Sequence, residues 1–110
     1  MSINRGEKIL SSLCRVIREQ SEHPSSDSYV SSLLQQGKAA IHEKLLEKAQ
    51  EVIGASQEAS REQIIHEVAN LWFHTLVLLG CWNITPDDIY KELSGRWGHS
   101  GFIEKRERSQ

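Results

Sequence analysis

Apolar side chains recur along this chain at helical spacing, and polar clusters break the pattern at intervals. Ile9, Leu10, Leu13, Val16 and Ile17 lie at i, i+1, i+4, i+7 and i+8, one face of a helix from about Arg5 to Gln20. The segment Ser21 to Ser28, SEHPSSDS, ends that helix, because Pro24 and its polar neighbours favour a turn-rich loop. Tyr29 to Gln35 is a short apolar return, and Gly37 offers the next break. From Ala39 to Ala55 a further helix is expected to bury Ile41, Leu45, Ala49, Val52 and Ile53, closing at Gly54 and the polar stretch around Ser56. Between Arg61 and Gly80, Ile64, Ile65, Val68, Leu71, Trp72, Leu76, Leu78 and Leu79 cover most of a helix's circumference. A helix apolar nearly all round has to be enclosed by several neighbours. The last helix opens at Thr85-Pro86-Asp87-Asp88, which supplies an N-cap hydroxyl, proline at the first helical position and acids beside the positive helix end. It should run to about Ser94 and stop at Gly95.

No segment alternates with period 2, so the expected fold class is all-α, a bundle of four to five helices. At 110 residues the chain has room for one hydrophobic core, which makes residues 1–110 a single domain. Neighbours able to enclose the 61–80 helix are scarce at this length, so the core is expected to be completed by homodimerisation. Hydrophobic residues make up 38% and charged residues 25%, the balance of a soluble folded domain rather than a disordered chain. Fifteen acids against 13 bases give a formal charge of −2, which gives no electrostatic case for nucleic acid as a partner. Cys14 and Cys81 lack ligand spacing and read as small buried thiols. The longest apolar stretch, Val68 to Trp82, is interrupted by Asn70, His74 and Thr75 and is too short to span a bilayer. With no targeting signal visible, no membrane partner and a cytoplasmic location are expected.

The chemistry-bearing residues fall on two of these helices. Glu47 and Glu51 project from one face of the 39–55 helix at i, i+4, with Lys44 and Lys48 beside them. Glu67, Asn70 and His74 share a face of the 61–80 helix, inside its most apolar run, where a carboxylate is costly unless paired or coordinated. Carboxylates converging from two helices can hold a hard divalent cation such as Mg²⁺, which bridges protein oxygens and substrate phosphates. The same spacing equally describes a solvated face with i, i+4 pairs.

At these residues the chain resembles the phosphoribosyl-ATP pyrophosphohydrolases of histidine biosynthesis, members of the all-α, MazG-like nucleotide pyrophosphohydrolases. Ser28-Tyr29 followed by Leu33-Leu34 is similar to that family's S-Y-T-x-x-L segment. Lys44, Glu47, Ala49 and Glu51 follow its K-V-G-E-E-A-x-E helix, and Glu67 to His74 follows E-x-A-D-L-x-Y-H. Arg96, Gly98, Ser100, Gly101, Glu104 and Lys105 match its R-x-G-x-S-G-x-x-E-K tail, the most specific single match. The resemblance implies Mg²⁺-dependent hydrolysis of phosphoribosyl-ATP to phosphoribosyl-AMP and pyrophosphate by a helical homodimer. It implies catalytic roles for Glu47, Glu51 and Glu67, substrate contacts from Lys44, Arg96, Ser100 and Lys105, and metal contacts from Glu51, Glu67 and Asn70.

The departures fall on the metal positions. The family's E-x-x-E and E-x-x-D pairs read here Lys48-x-x-Glu51 and Glu67-x-x-Asn70, and Ala40 and Leu46 stand where the family has lysine and glycine. Two unit positive charges about 4 Å apart repel by roughly 4 kcal/mol at an effective dielectric of about 20, and a divalent ion doubles that. Lys48 is therefore expected either to take the cation's place, pairing with Glu51 and Glu67, or to swing outward and leave a degenerate, weakened Mg²⁺ site. Two functions follow: the hydrolase itself, or a catalytically impaired paralogue acting as a binding or regulatory helical dimer. His74 reads as a buried, hydrogen-bonded histidine, and Trp72, Phe73, Trp82 and Trp97 as core or interface aromatics.

Overall fold

The computed structural model describes residues 5–98. It contains α1 (Arg5–Glu22), α2 (Tyr29–Gln36), α3 (Lys38–Gln57), α4 (Arg61–Cys81) and α5 (Pro86–Gly98), with no strand among the described residues. The chain is all-α, as the absence of period-2 patterning requires. α3 packs most extensively on α4, α1 lies on α4, and α2 bridges α1 and α3.

Local chemistry explains where the helices begin. Ser28 and Ser60 adopt extended backbone, and their hydroxyls accept from the backbone N–H of Ser31 and Gln63, capping α2 and α4. Gly37 ends α2 and starts α3 with φ of 99°, a left-handed conformation open to glycine without steric cost. At α5 the cap is built differently from the expected one. The backbone N–H of Thr85 (3.0 Å) and its hydroxyl (3.3 Å) both donate to Asp88 Oδ2, so Asp88 is the accepting side chain. Its carboxyl is held below the usual range by the Thr85 backbone N–H first, then, against slight burial, by the Thr85 hydroxyl and the charge of Lys91.

The expected stop at Gly95 is not where α5 ends; the helix runs on to Gly98. Among the described glycines only Gly37 takes a positive φ, so Gly95 is a helical residue rather than a left-handed cap. Arg96 Nε and Nη2 donate to Glu92 Oε2 at 3.1 and 3.0 Å, an i, i+4 link that spans Gly95.

The core is small. Ile17, Val30, Leu33, Ile41, Leu76, Val77 and Leu79 form one buried cluster where α1, α2, α3 and α4 meet. Gly80 lets α1 approach α4, since a Cβ there would meet Ile17 Cγ2 at 3.1 Å. Ser31 closes the polar side of this junction: its Oγ accepts from the Ser25 N–H at 3.0 Å and faces the Gln20 Oε1 at 2.9 Å. Cys14 is buried and Cys81 half-buried, both as free thiols.

Several expected core positions lie outside this cluster. Ile9 and Val16 on α1, Ile53 on α3 and Ile65 and Trp72 on α4 are each more than half exposed. The described helices leave these apolar faces uncovered. The shape agrees: the extents are 51 × 33 × 32 Å and the radius of gyration is 16.4 Å, against about 13 Å for a compact domain of 100 residues. The α4 helix, at 21 residues, is longer than the Val68 to Trp82 stretch and by length and composition alone could cross a bilayer. Its packing along α3 and its polar residues Glu67, Asn70 and His74 are those of a bundle helix.

Candidate functional site

The candidate acids lie on α3 and α4, the helix pair in most extensive contact. On α3, Lys44 Nζ lies 3.3 Å from Glu47 Oε1, and Lys48 Nζ lies 3.6 Å from the same oxygen. Lys48 also pairs with Glu51 Oε1 at 3.4 Å. The Lys48 side chain is 17% exposed, whereas those of Glu47 and Glu51 are 50% and 42% exposed. The ammonium is therefore tucked inward against the carboxylates, and the outward swing is not the conformation adopted.

These ion pairs set the charge states. Burial acts most strongly on Lys48 and favours its neutral form. The hydrogen bond and charge of Glu51, with the charge of Glu47 and the nearby Tyr29 phenol, outweigh burial and raise its pKa above the ordinary lysine value. Glu47 is held below the usual carboxylate range by the hydrogen bond from Lys44 and its charge, burial opposing and Lys48 adding to the effect. Glu47 and Glu51 are thus each paired with a lysine of the same helix.

On α4, Glu67 is in a different condition. Its Oε2 accepts from Gln63 Nε2 at 2.7 Å, while its buried Oε1 has no hydrogen-bond partner among the described residues. The expected pairing of Lys48 with both Glu51 and Glu67 is realised only in its first half: the ion pairs of Lys48 are to Glu47 and Glu51. The reason is local. The lysine stem reaches the adjacent and i+3 carboxylates of its own helix, while Glu67 is tied along α4 by Gln63 four residues earlier.

A polar chain missed by the sequence reading runs beside this face. The Tyr29 hydroxyl and His74 Nε2 are 2.8 Å apart, and His74 Nδ1 lies 2.8 Å from the Asn70 carbonyl oxygen. That carbonyl can only accept, so Nδ1 carries the proton and Tyr29 donates to Nε2. His74 is 4% exposed and lies edge-on to Tyr29 and Phe73, as a buried, hydrogen-bonded histidine should be. Tyr29 and His74 are 45 residues apart; the sequence pattern marked His74 as a buried, hydrogen-bonded histidine but gave no sign that Tyr29 is its partner.

Among the described residues no three His, Cys, Asp or Glu side chains are placed to hold an ion. With Glu47 and Glu51 committed to lysines and Asn70 uncharged, the described residues do not fit a divalent metal. Arg96 is exposed on α5 and paired to Glu92. Ser100 and Lys105, the remaining expected substrate contacts, lie outside the described residues.

A separate groove of about 530 Å³ lies where α4 faces α5, lined by Leu71, Trp72, Leu76, Ile89 and Leu93 among others. It contains none of the acids or lysines above. Its chemistry suits apolar contact and not a polyphosphate.

Comparison with known proteins places the sequence within one family. The family model described as phosphoribosyl-ATP pyrophosphohydrolase matches residues 10–96. A phosphoribosyl-ATP pyrophosphatase of Geotalea daltonii is 48% identical over 104 residues, covering 94% of this chain and 98% of the relative. One of Geobacter metallireducens is 46% identical over 96% of this chain and 97% of its own. One of Neisseria meningitidis serogroup B is 37% identical over 96% of this chain and 98% of its own.

Proposed function

The chain belongs to the phosphoribosyl-ATP pyrophosphohydrolase family, and from this we propose that it hydrolyses phosphoribosyl-ATP to phosphoribosyl-AMP and pyrophosphate, a step of histidine biosynthesis. The observation that carries the reading is near full-length similarity to pyrophosphatases of that name, with the acids of α3 and α4 on the best-packed helix pair. In the reaction a water oxygen bonds to phosphorus, the α–β anhydride bond breaks, and its bridging oxygen leaves on pyrophosphate. The water's proton needs an acceptor, and Glu67 Oε1, buried and without a partner among the described residues, is the carboxylate oxygen free to take it. Glu47 and Glu51 hold Lys44 and Lys48 as the cations that meet substrate phosphate, with Arg96, Ser100 and Lys105 as further phosphate contacts. Mg²⁺ is the ion that the family resemblance implies, but the ligand set of this chain does not fit it and no step is assigned to it.

The single domain is read as one half of a homodimer in the cytoplasm, with no membrane or nucleic acid involved. Support comes from the apolar groove, the exposed Leu46, Ile53, Ile65 and Trp72, and the extended shape of the protomer.

The ion pairs of Lys48 favour a second reading, a catalytically impaired paralogue that binds the nucleotide as a regulatory dimer. Pyrophosphate release from phosphoribosyl-ATP, measured with and without Mg²⁺, separates the two. Turnover by the wild-type chain supports the hydrolase. Binding without turnover, with turnover gained in the Lys48→Glu, Asn70→Asp double variant, supports the paralogue.

A further inference from the structure

We propose that Lys48 is a resident counter-ion of the α3–α4 acid face, standing in the place of a divalent cation so that the free chain takes up none there. The inference rests on the reading that this face is the family's catalytic face. Its warrant is the placement of charge. Lys48 Nζ sits 3.4 Å from Glu51 Oε1 and 3.6 Å from Glu47 Oε1, and its side chain is less exposed than either partner. Lys44 lies 3.3 Å from the same Glu47 oxygen, so two ammonium groups face two carboxylates and the α3 side is electrically balanced. A divalent ion entering that balance would be opposed by both ammonium groups at short range. On α4, Asn70 adds no charge and Glu67 accepts a hydrogen bond from a neutral Gln63. Oxygen ligands alone hold a hard cation weakly when their negative charge is already spent on lysines.

The test is a titration of the full-length chain with Mn²⁺, read by loss of the free-ion electron paramagnetic resonance signal. Wild type should leave the signal unchanged up to about 1 mM, whereas Lys48→Glu combined with Asn70→Asp should bind at least about tenfold more tightly. Lys48→Gln, which keeps most of the stem and removes the charge, should also gain Mn²⁺ affinity. It decides the matter if the double variant fails to show a helical circular dichroism spectrum. Wild-type binding as tight as that of the double variant, or no gain in Lys48→Gln, overturns the proposal. Pyrophosphate release measured in parallel keeps this inference distinct from the hydrolase reading. Mn²⁺ gained by the variants with no release from any chain removes the hydrolase and leaves the role of Lys48 standing. Release by a wild type that binds Mn²⁺ tightly does the reverse.

Discussion

Lys48 and Glu67 illustrate how much a single side chain decides here. A lysine pointing to solvent would have left Glu51 free and Glu47 with Lys44 alone; tucked against both, it converts the acids into a set of ion pairs. Because its pKa is raised, the stabilisation it contributes is fully present below the ordinary lysine pKa of 10.5 and is lost as pH rises through the higher folded value. The stability difference between wild type and Lys48→Met, measured by urea unfolding, should therefore shrink as pH rises above 10.5, and also in acid, where Glu47 takes up its proton. Asp88 runs the other way. Its depressed pKa gives stability that is present above the ordinary aspartate pKa of 3.8 and disappears as pH falls through the folded value. Asp88→Ala should be less stable than wild type at neutral pH and indistinguishable from it in strong acid. A third residue-scale outcome concerns the buried chain. Tyr29→Phe leaves His74 Nε2 without its donor, which should cost about 1 to 2 kcal/mol in the same measurement.

At the scale of elements, glycine separates propensity from packing. Gly95 lies inside α5, and a Cβ added there meets nothing within 4 Å, so Gly95→Ala should stabilise by about 1 kcal/mol. Gly80 lies inside α4, where the same change drives a Cβ to 3.1 Å from the buried Ile17. Gly80→Ala should therefore forfeit that gain and loosen the α1–α4 contact, a difference that parallel chemical denaturation of the two variants would reveal. The helices themselves were legible because their signals are local. Ser28, Gly37, Ser60 and Pro86 mark boundaries by backbone chemistry that each carries wherever the rest of the chain goes. Gly95 misled because glycine is only permissive of a left-handed stop; the Arg96 to Glu92 link holds the next turn helical.

The described helices present wide apolar surface to solvent. Leu46 and Ile53 repeat at i, i+7 on α3, Ile65 and Trp72 do so on α4, and Ile89 and Leu93 extend the groove beside Trp72. Light scattering coupled to size exclusion should give twice the chain mass, and Trp72→Glu should move the population toward the single chain. A wild type that elutes at one chain mass at all concentrations would sink the homodimer. The sequence by itself determined the helical class, the order of the helices and the family, because periodicity, caps and spaced motifs are written in neighbouring residues. Only the tertiary structure decided that Glu67 keeps a buried oxygen without a partner among the described residues, that Tyr29 finds His74 and that Ile9, Val16 and Ile53 stay exposed. Those outcomes depend on which side chains other helices bring within hydrogen-bonding or packing distance, and short spacing along one helix does not encode what faces it.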